Sequence, residues 1–156
     1  MGVIVEYGLP AFLFIVAGSA MATAGNVQFV GKVSHTCSIT VDQNGTLGVR
    51  SDFTRMNSRK WGGTSGHATI TASASGLTAS VDDPASFSIE PAADTTPEIF
   101  RARHAGSGAT SYGRTRWAKS LNIGVTNVVV DLVVRKSGSD IFEAGDYQAT
   151  VVLRCE

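Results

Sequence analysis

The chain has 156 residues, and its 13 Lys and Arg balance its 13 Asp and Glu, so the formal net charge is +0. Neutrality gives no general attraction to nucleic acid or to an anionic membrane surface. The 17 glycines, with many Thr, Ser, Ala and Val and little Leu, favour strands and turns over helices.

Residues 1–24 read as a signal peptide. Residues 9–17 are almost wholly apolar, and Ala22-Thr23-Ala24 is a small-x-small cleavage site before Gly25. The apolar stretch is too short to span a bilayer comfortably, which favours a cleaved signal over an anchor. Glu6 is the only charge ahead of it, with no Lys or Arg. Either the start codon lies upstream or the signal is atypical, and an uncleaved N-terminal helix is the bland alternative. Residues 25–156 then form a single domain, large enough to bury roughly two-thirds of its unfolded surface. No membrane span is expected in that mature chain.

From 27 to 41 the odd positions read Val27, Phe29, Gly31, Val33, His35, Cys37, Ile39 and Val41, against Gln28, Val30, Lys32, Ser34, Thr36, Ser38 and Thr40. Period two over that length predicts one strand, or two in succession, with one buried face. Asp42-Gln43-Asn44-Gly45 is a turn, and residues 47–49 a short return strand. Residues 50–66 are polar and basic and read as a long loop. Strands are expected at 67–73, with Ala68, Ile70 and Ala72 on one side, at 77–81 and at 86–89. Residues 99–103 are expected to pair only briefly, and the Gly- and Ser-rich 105–112 is a loop.

The strongest interior strand covers 125–135, where Val128, Val130, Leu132 and Val134 share a face. In the last strand Tyr147, Ala149, Val151, Leu153 and Cys155 share another. Short strands at this spacing predict an all-β, immunoglobulin-like Greek-key β-sandwich of about seven or eight strands. Cys37 and Cys155 both fall on the apolar parity of the first and last strands. In an exported chain they are expected to form one disulfide rather than remain as two buried thiols.

Reactive constellations are missing. There is no Gly-x-Ser-x-Gly elbow, the three histidines lie on different segments, and no spacing suits a metal. No phosphate-cradling loop precedes a helix. No catalytic residue, metal or cofactor is therefore assigned, and an enzyme is the weakest reading. Asn44-Gly45-Thr46 fits a glycosylation sequon, a weak three-residue pattern. Two basic loops with aromatic residues form a candidate ligand surface. One holds Arg50, Phe53, Arg55, Arg59, Lys60 and Trp61. The other holds Arg101, Arg103, His104, Tyr112, Arg114, Arg116, Trp117 and Lys119. Interleaved cations and aromatic rings suit a glycan or an acidic surface. Two solvated loops whose Trp residues cover one end of the sandwich are the favoured alternative, and nucleic acid is not an expected partner.

Gly25-x-Val27-x-Phe29-x-Gly31-x-Val33, followed by Thr36-Cys37-Ser38-Ile39, resembles the opening of the chaperone–usher fimbrial subunits and of the related spore-coat-protein-U-like secreted proteins. Ala144-Gly145-Asp146-Tyr147-Gln148-Ala149 looks like the final strand of that family. The resemblance covers roughly forty residues, at both ends of the mature chain. It implies a structural pilus or coat subunit at the surface of a Gram-negative bacterium, reached through the periplasm with a chaperone and an outer-membrane usher as partners. It also implies self-association by strand addition, with 25–36 as donor, Val27, Phe29 and Val33 as pocket residues and Gly31 at the shallow pocket where exchange starts. The alternative is a monomeric, self-complemented binding module, adhesin-like, that uses Trp61 and Trp117.

Overall fold

The computed structural model describes residues 28–156. The signal segment 1–24 and Val27 lie outside the described residues. Residues 28–36 carry no strand, and every strand lies in the compact unit Val33–Glu156. Among the described residues there are ten strands and no helix: β1 (Cys37–Gln43), β2 (Gly48–Val49), β3 (Arg55–Asn57), β4 (Gly66–Ala72), β5 (Thr78–Asp82), β6 (Glu98–Gly108), β7 (Tyr112–Thr115), β8 (Lys119–Ser120), β9 (Gly124–Lys136) and β10 (Val152–Cys155). They form a seven-stranded and a three-stranded antiparallel sheet, packed as a β-sandwich.

β9 is the spine of the large sheet. Its valine-rich 13 residues suit a pleated surface that is packed from both edges. Along one edge β6 pairs from Glu98↔Lys136 to Gly108↔Thr126. The other edge is shared, with β4 taking Gly124 to Val130 and β3 taking Val133 to Arg135. β1 lies outside β4, β2 outside β3 and β7 outside β6. The small sheet has the order β10-β5-β8.

The inward parity of β9 feeds two core clusters. Leu132 and Val134 pack with Met56, Phe87, Phe100, Ala102 and Phe142. Val128 packs with Ile70, Ala72, Ala79 and Leu121. The disulfide Cys37–Cys155 stands beside the second cluster, with Cα atoms 6.0 Å apart. It joins the edge strand of one sheet to the edge strand of the other. Closing a chain over a separation of 118 residues stabilises the fold by about 4–5 kcal/mol in the chain-entropy model.

Several expectations are corrected. Over the described residues 28–41 the alternating run is a strand only from Cys37, because β4 ends at Ala72 and beyond it only Ser73 bonds back, to Thr36 and Ser34. The last strand begins at Val152 rather than at Tyr147, although Tyr147, Ala149 and Val151 keep their inward parity as extended chain. The loop expected at 50–66 contains β3, and of the one expected at 105–112 residues 105–108 are the end of β6, while 109–111 form the turn into β7. Residues 86–89 contribute a single bridge, Ile89↔Gln148. β7 and β8 were not expected at all. Glycine and serine in 105–112 suggest a loop, yet β6 continues there because β9 supplies a partner as far as Thr126.

Candidate functional site

The open part of the molecule is a cleft between the free edges of the two sheets. β1 ends the large sheet and β10 ends the small one. At Cys37 and Cys155 the disulfide holds these edges together. Farther along, toward Val41 and Ala149, they part around a cleft of 730 Å³. Val41, Leu47, Met56, Ala68, Val130, Leu132, Ala149 and Val151 give it apolar walls.

β1 shows what the cleft lacks. Ile39 and Val41 share the inward parity of Cys37, yet they are 36% and 67% exposed. Both residues are held by full pairing of β1 with β4, at Ile39↔Ile70 and Val41↔Ala68. An inward-facing, well-paired strand left uncovered on its apolar side is an incomplete sandwich edge. Opposite it, β10 pairs only with β5, and within 145–151 Gln148 bonds to Ser88 and Ile89, which lie outside both sheets.

One end of the cleft is fixed by a buried polar cluster. Lys136 Nζ donates to Asp94, to Glu98 Oε1 at 2.5 Å and to Thr96 O at 3.0 Å, and lies 5.0 Å from the centre of the Phe142 ring. Tyr147, which lines the cleft, shares its one hydroxyl proton between Asp94 Oδ2 at 2.6 Å and Glu143 O at 2.9 Å. Burial pushes the Asp94 carboxyl up, but the hydrogen bonds from Lys136 and Tyr147 outweigh it and hold the group below its usual value. Burial and the Asp94 carboxylate raise the Tyr147 phenol, so the hydroxyl stays a donor. Phe87 packs edge-on against both Tyr147 and Phe100 at 4.9 Å. These contacts hold the 142–147 segment against the core, so the cleft keeps a firm end wall.

The basic residues occupy the opposite, outer face of the large sheet. Arg55, Arg59, Arg101, Arg103, Arg114 and Arg135 line a second concavity of 250 Å³ around Asp131. Arg55 and Arg59 of the first candidate loop and Arg101, Arg103 and Arg114 of the second line it, and the Arg114 guanidinium pairs with Asp131. Arg116 is engaged with Asp83 at 3.1 Å. Trp117 is exposed, and its carbonyl oxygen accepts from His104 Nε2 at 3.1 Å. Trp61 is exposed at a positive φ of 57°, in the turn beside Gly48. The two loops therefore meet through their arginines and not through their tryptophans. His104 is fully buried, accepts from the Tyr112 hydroxyl at 2.8 Å and is kept neutral by burial, which lowers its pKa.

Of the donor residues, Val33 is exposed and outside any strand, as are Phe29 and Gly31. Sequence reasoning missed the Lys136 cluster and Asp131. A signal was present for the second, since Asp131 interrupts an apolar strand, and a charge there needs a partner when buried. Among the described residues no three His, Cys, Asp or Glu side chains are grouped to hold a metal, and no helix is long and apolar enough to cross a membrane. No family model, curated protein or solved structure matches the chain.

Proposed function

We propose that the protein is a structural subunit of an exported surface polymer, of pilus or coat type, in which residues 27–33 of one copy complete the cleft of the next. The observation that carries this reading is the uncovered inward face of β1, Ile39 and Val41, across from the free edge of β10. An added strand would take backbone hydrogen bonds from both edges, and its alternate side chains would enter the apolar cleft. Val27, Phe29, Gly31 and Val33 have the alternation that such a strand requires. Seven extended residues span about 20–23 Å, comparable with the stretch from Gly145 to Val151 that forms one wall.

The chain leading into β1 favours addition between copies. Ser73 Oγ donates to Ser34 O at 2.8 Å, and Ser73 N donates to Thr36 O at 3.0 Å. Residues 34–36 thus continue the line of β1 past its disulfide end, while the cleft opens at the other end. To fill its own cleft the chain would have to reverse within three pinned residues. A head-to-tail contact of this kind does not close and generates a filament. A disulfide suits an oxidising compartment, and a periplasmic chaperone and an outer-membrane usher are the partners such a subunit would need.

The test uses the full oxidised chain. Its mass should rise with concentration, and a peptide of residues 25–36 should bind and suppress that rise. Gly31→Trp on the donor side and Val41→Glu on the acceptor side should each abolish assembly, with the urea midpoint changed little. A wild-type chain that stays monomeric throughout and ignores the peptide would end the proposal.

A further inference from the structure

The outer face of the large sheet carries more cationic charge than its fold uses. Six guanidinium groups surround the single carboxylate of Asp131. That carboxylate is already satisfied, since Arg114 donates to Oδ2 and Ser65 Oγ donates to Oδ1 at 2.5 Å. Arg55, Arg59, Arg101, Arg103 and Arg135 make no salt bridge with any carboxylate among the described residues. Arg55 stands directly across from Arg135, and such like-charge pairs are unfavourable. Arg135 Nε is buried with no hydrogen-bond partner among the described residues. A buried donor without an acceptor is costly, and five unmatched cations on one face are not a requirement of the sandwich.

The placement follows from register. Arg101 and Arg103 take the outward positions of β6, opposite Val133 and Asp131 of β9. Arg55 and Asn57 take those of β3, opposite Arg135 and Val133. Neighbouring strands are about 4.8 Å apart and alternate residues about 6.6 Å. The guanidinium groups therefore rise from a grid, in a shallow concavity of 250 Å³. A single small oxyanion would satisfy only part of it. A chain that carries an acid group on successive units would satisfy the whole.

We propose that this face binds an acidic polysaccharide, a glycan bearing sulfate-ester or carboxylate groups, through bidentate arginine contacts. Guanidinium forks match both oxyanions, and desolvated charge-assisted pairs of this kind are strong. The lining has no aromatic side chain, whereas single-stranded nucleic acids are usually held by stacking on aromatic rings. That difference selects a glycan over a nucleic acid. The face lies on the opposite side of the large sheet from the apolar cleft, so the proposal does not depend on strand addition.

Calorimetry on the full oxidised chain tests it with four probes at low and at physiological salt: a heparin octasaccharide, an oligogalacturonate, inorganic sulfate and an eight-residue oligothymidylate. The expected result is binding of one or both acidic oligosaccharides, weakening steeply with salt. Whichever of the two binds identifies the acid group. Arg101→Gln with Arg103→Gln should cost at least tenfold in affinity and leave the urea midpoint in place. Should the double variant fold poorly, Arg101→Gln alone, on an exposed outward position, should still weaken binding several-fold. Failure of both oligosaccharides to bind at low salt, equal binding by the variants, or tighter binding of the oligothymidylate would each overturn the proposal.

Discussion

Two ionic clusters of this molecule sit at opposite ends of the scale of charge matching. Around Lys136 one ammonium meets the carboxylates of Asp94 and Glu98 and the Thr96 carbonyl, and Tyr147 donates to Asp94. Around Asp131 one carboxylate faces six arginines. The first cluster has Lys136 and Asp94 buried, its one ammonium shared by both carboxylates, and it braces the segment that walls the cleft. The second is open to solvent and leaves cations unanswered. Burial forces a partner on each ion, since a buried unpaired ion costs several kcal/mol. An exposed face tolerates excess charge, and can use it to hold something from outside.

The comparison can be broken most directly at Lys136. Lys136→Met should destabilise the fold by about 3–5 kcal/mol, because two carboxylates lose their buried counter-ion. Denaturant unfolding measures this, and a near-neutral result would mean that the matched cluster is not structural. A smaller effect should appear on acidification. Asp94 is held below the usual carboxyl value of 3.8, so the unfolded chain binds more protons than the native one in that range. Its contribution is complete above about pH 4 and is lost as pH falls through its lowered native value. Unfolding midpoints measured between pH 6 and pH 2 should therefore drop steeply at the acid end, and Asp94→Asn should flatten that drop. The smallest effect is expected on the unmatched face. Arg55→Gln removes the cation opposite Arg135 and should raise stability at low salt by about 0.2–1 kcal/mol. A loss of stability there would show that the arginine face is part of the fold's own support.

Much of the fold was legible because strand alternation is a local property. Ala68, Ile70 and Ala72 are buried as their parity requires, and so are Val128, Leu132 and Val134. The inward parity of Tyr147 to Cys155 holds even where no ladder forms. Both cysteines lay on inward parity near the chain ends, and they are bridged. What alternation could not supply was the extent of pairing. Whether residues 28–33 or 105–108 are strand depends on a neighbour distant in sequence, which β4 does not supply in the first case and β9 supplies in the second.

The candidate sites divide in the same way. The donor-like alternation at 27–33 is written in the sequence, but the uncovered face of β1 is not, because exposure depends on what the other sheet fails to reach. The two basic loops were visible as composition. Only the pairing of β3 and β6 with β9 sets Arg55, Arg101, Arg103 and Arg135 side by side and leaves Trp61 and Trp117 outside. Sequence alone determined an all-β chain, the inward faces of its main strands and the two partners in its disulfide, since each follows from side-chain period and redox chemistry. Tertiary structure decided which edges stayed open and which charges stayed unmatched, because both are differences between surfaces that only long-range strand pairing brings together.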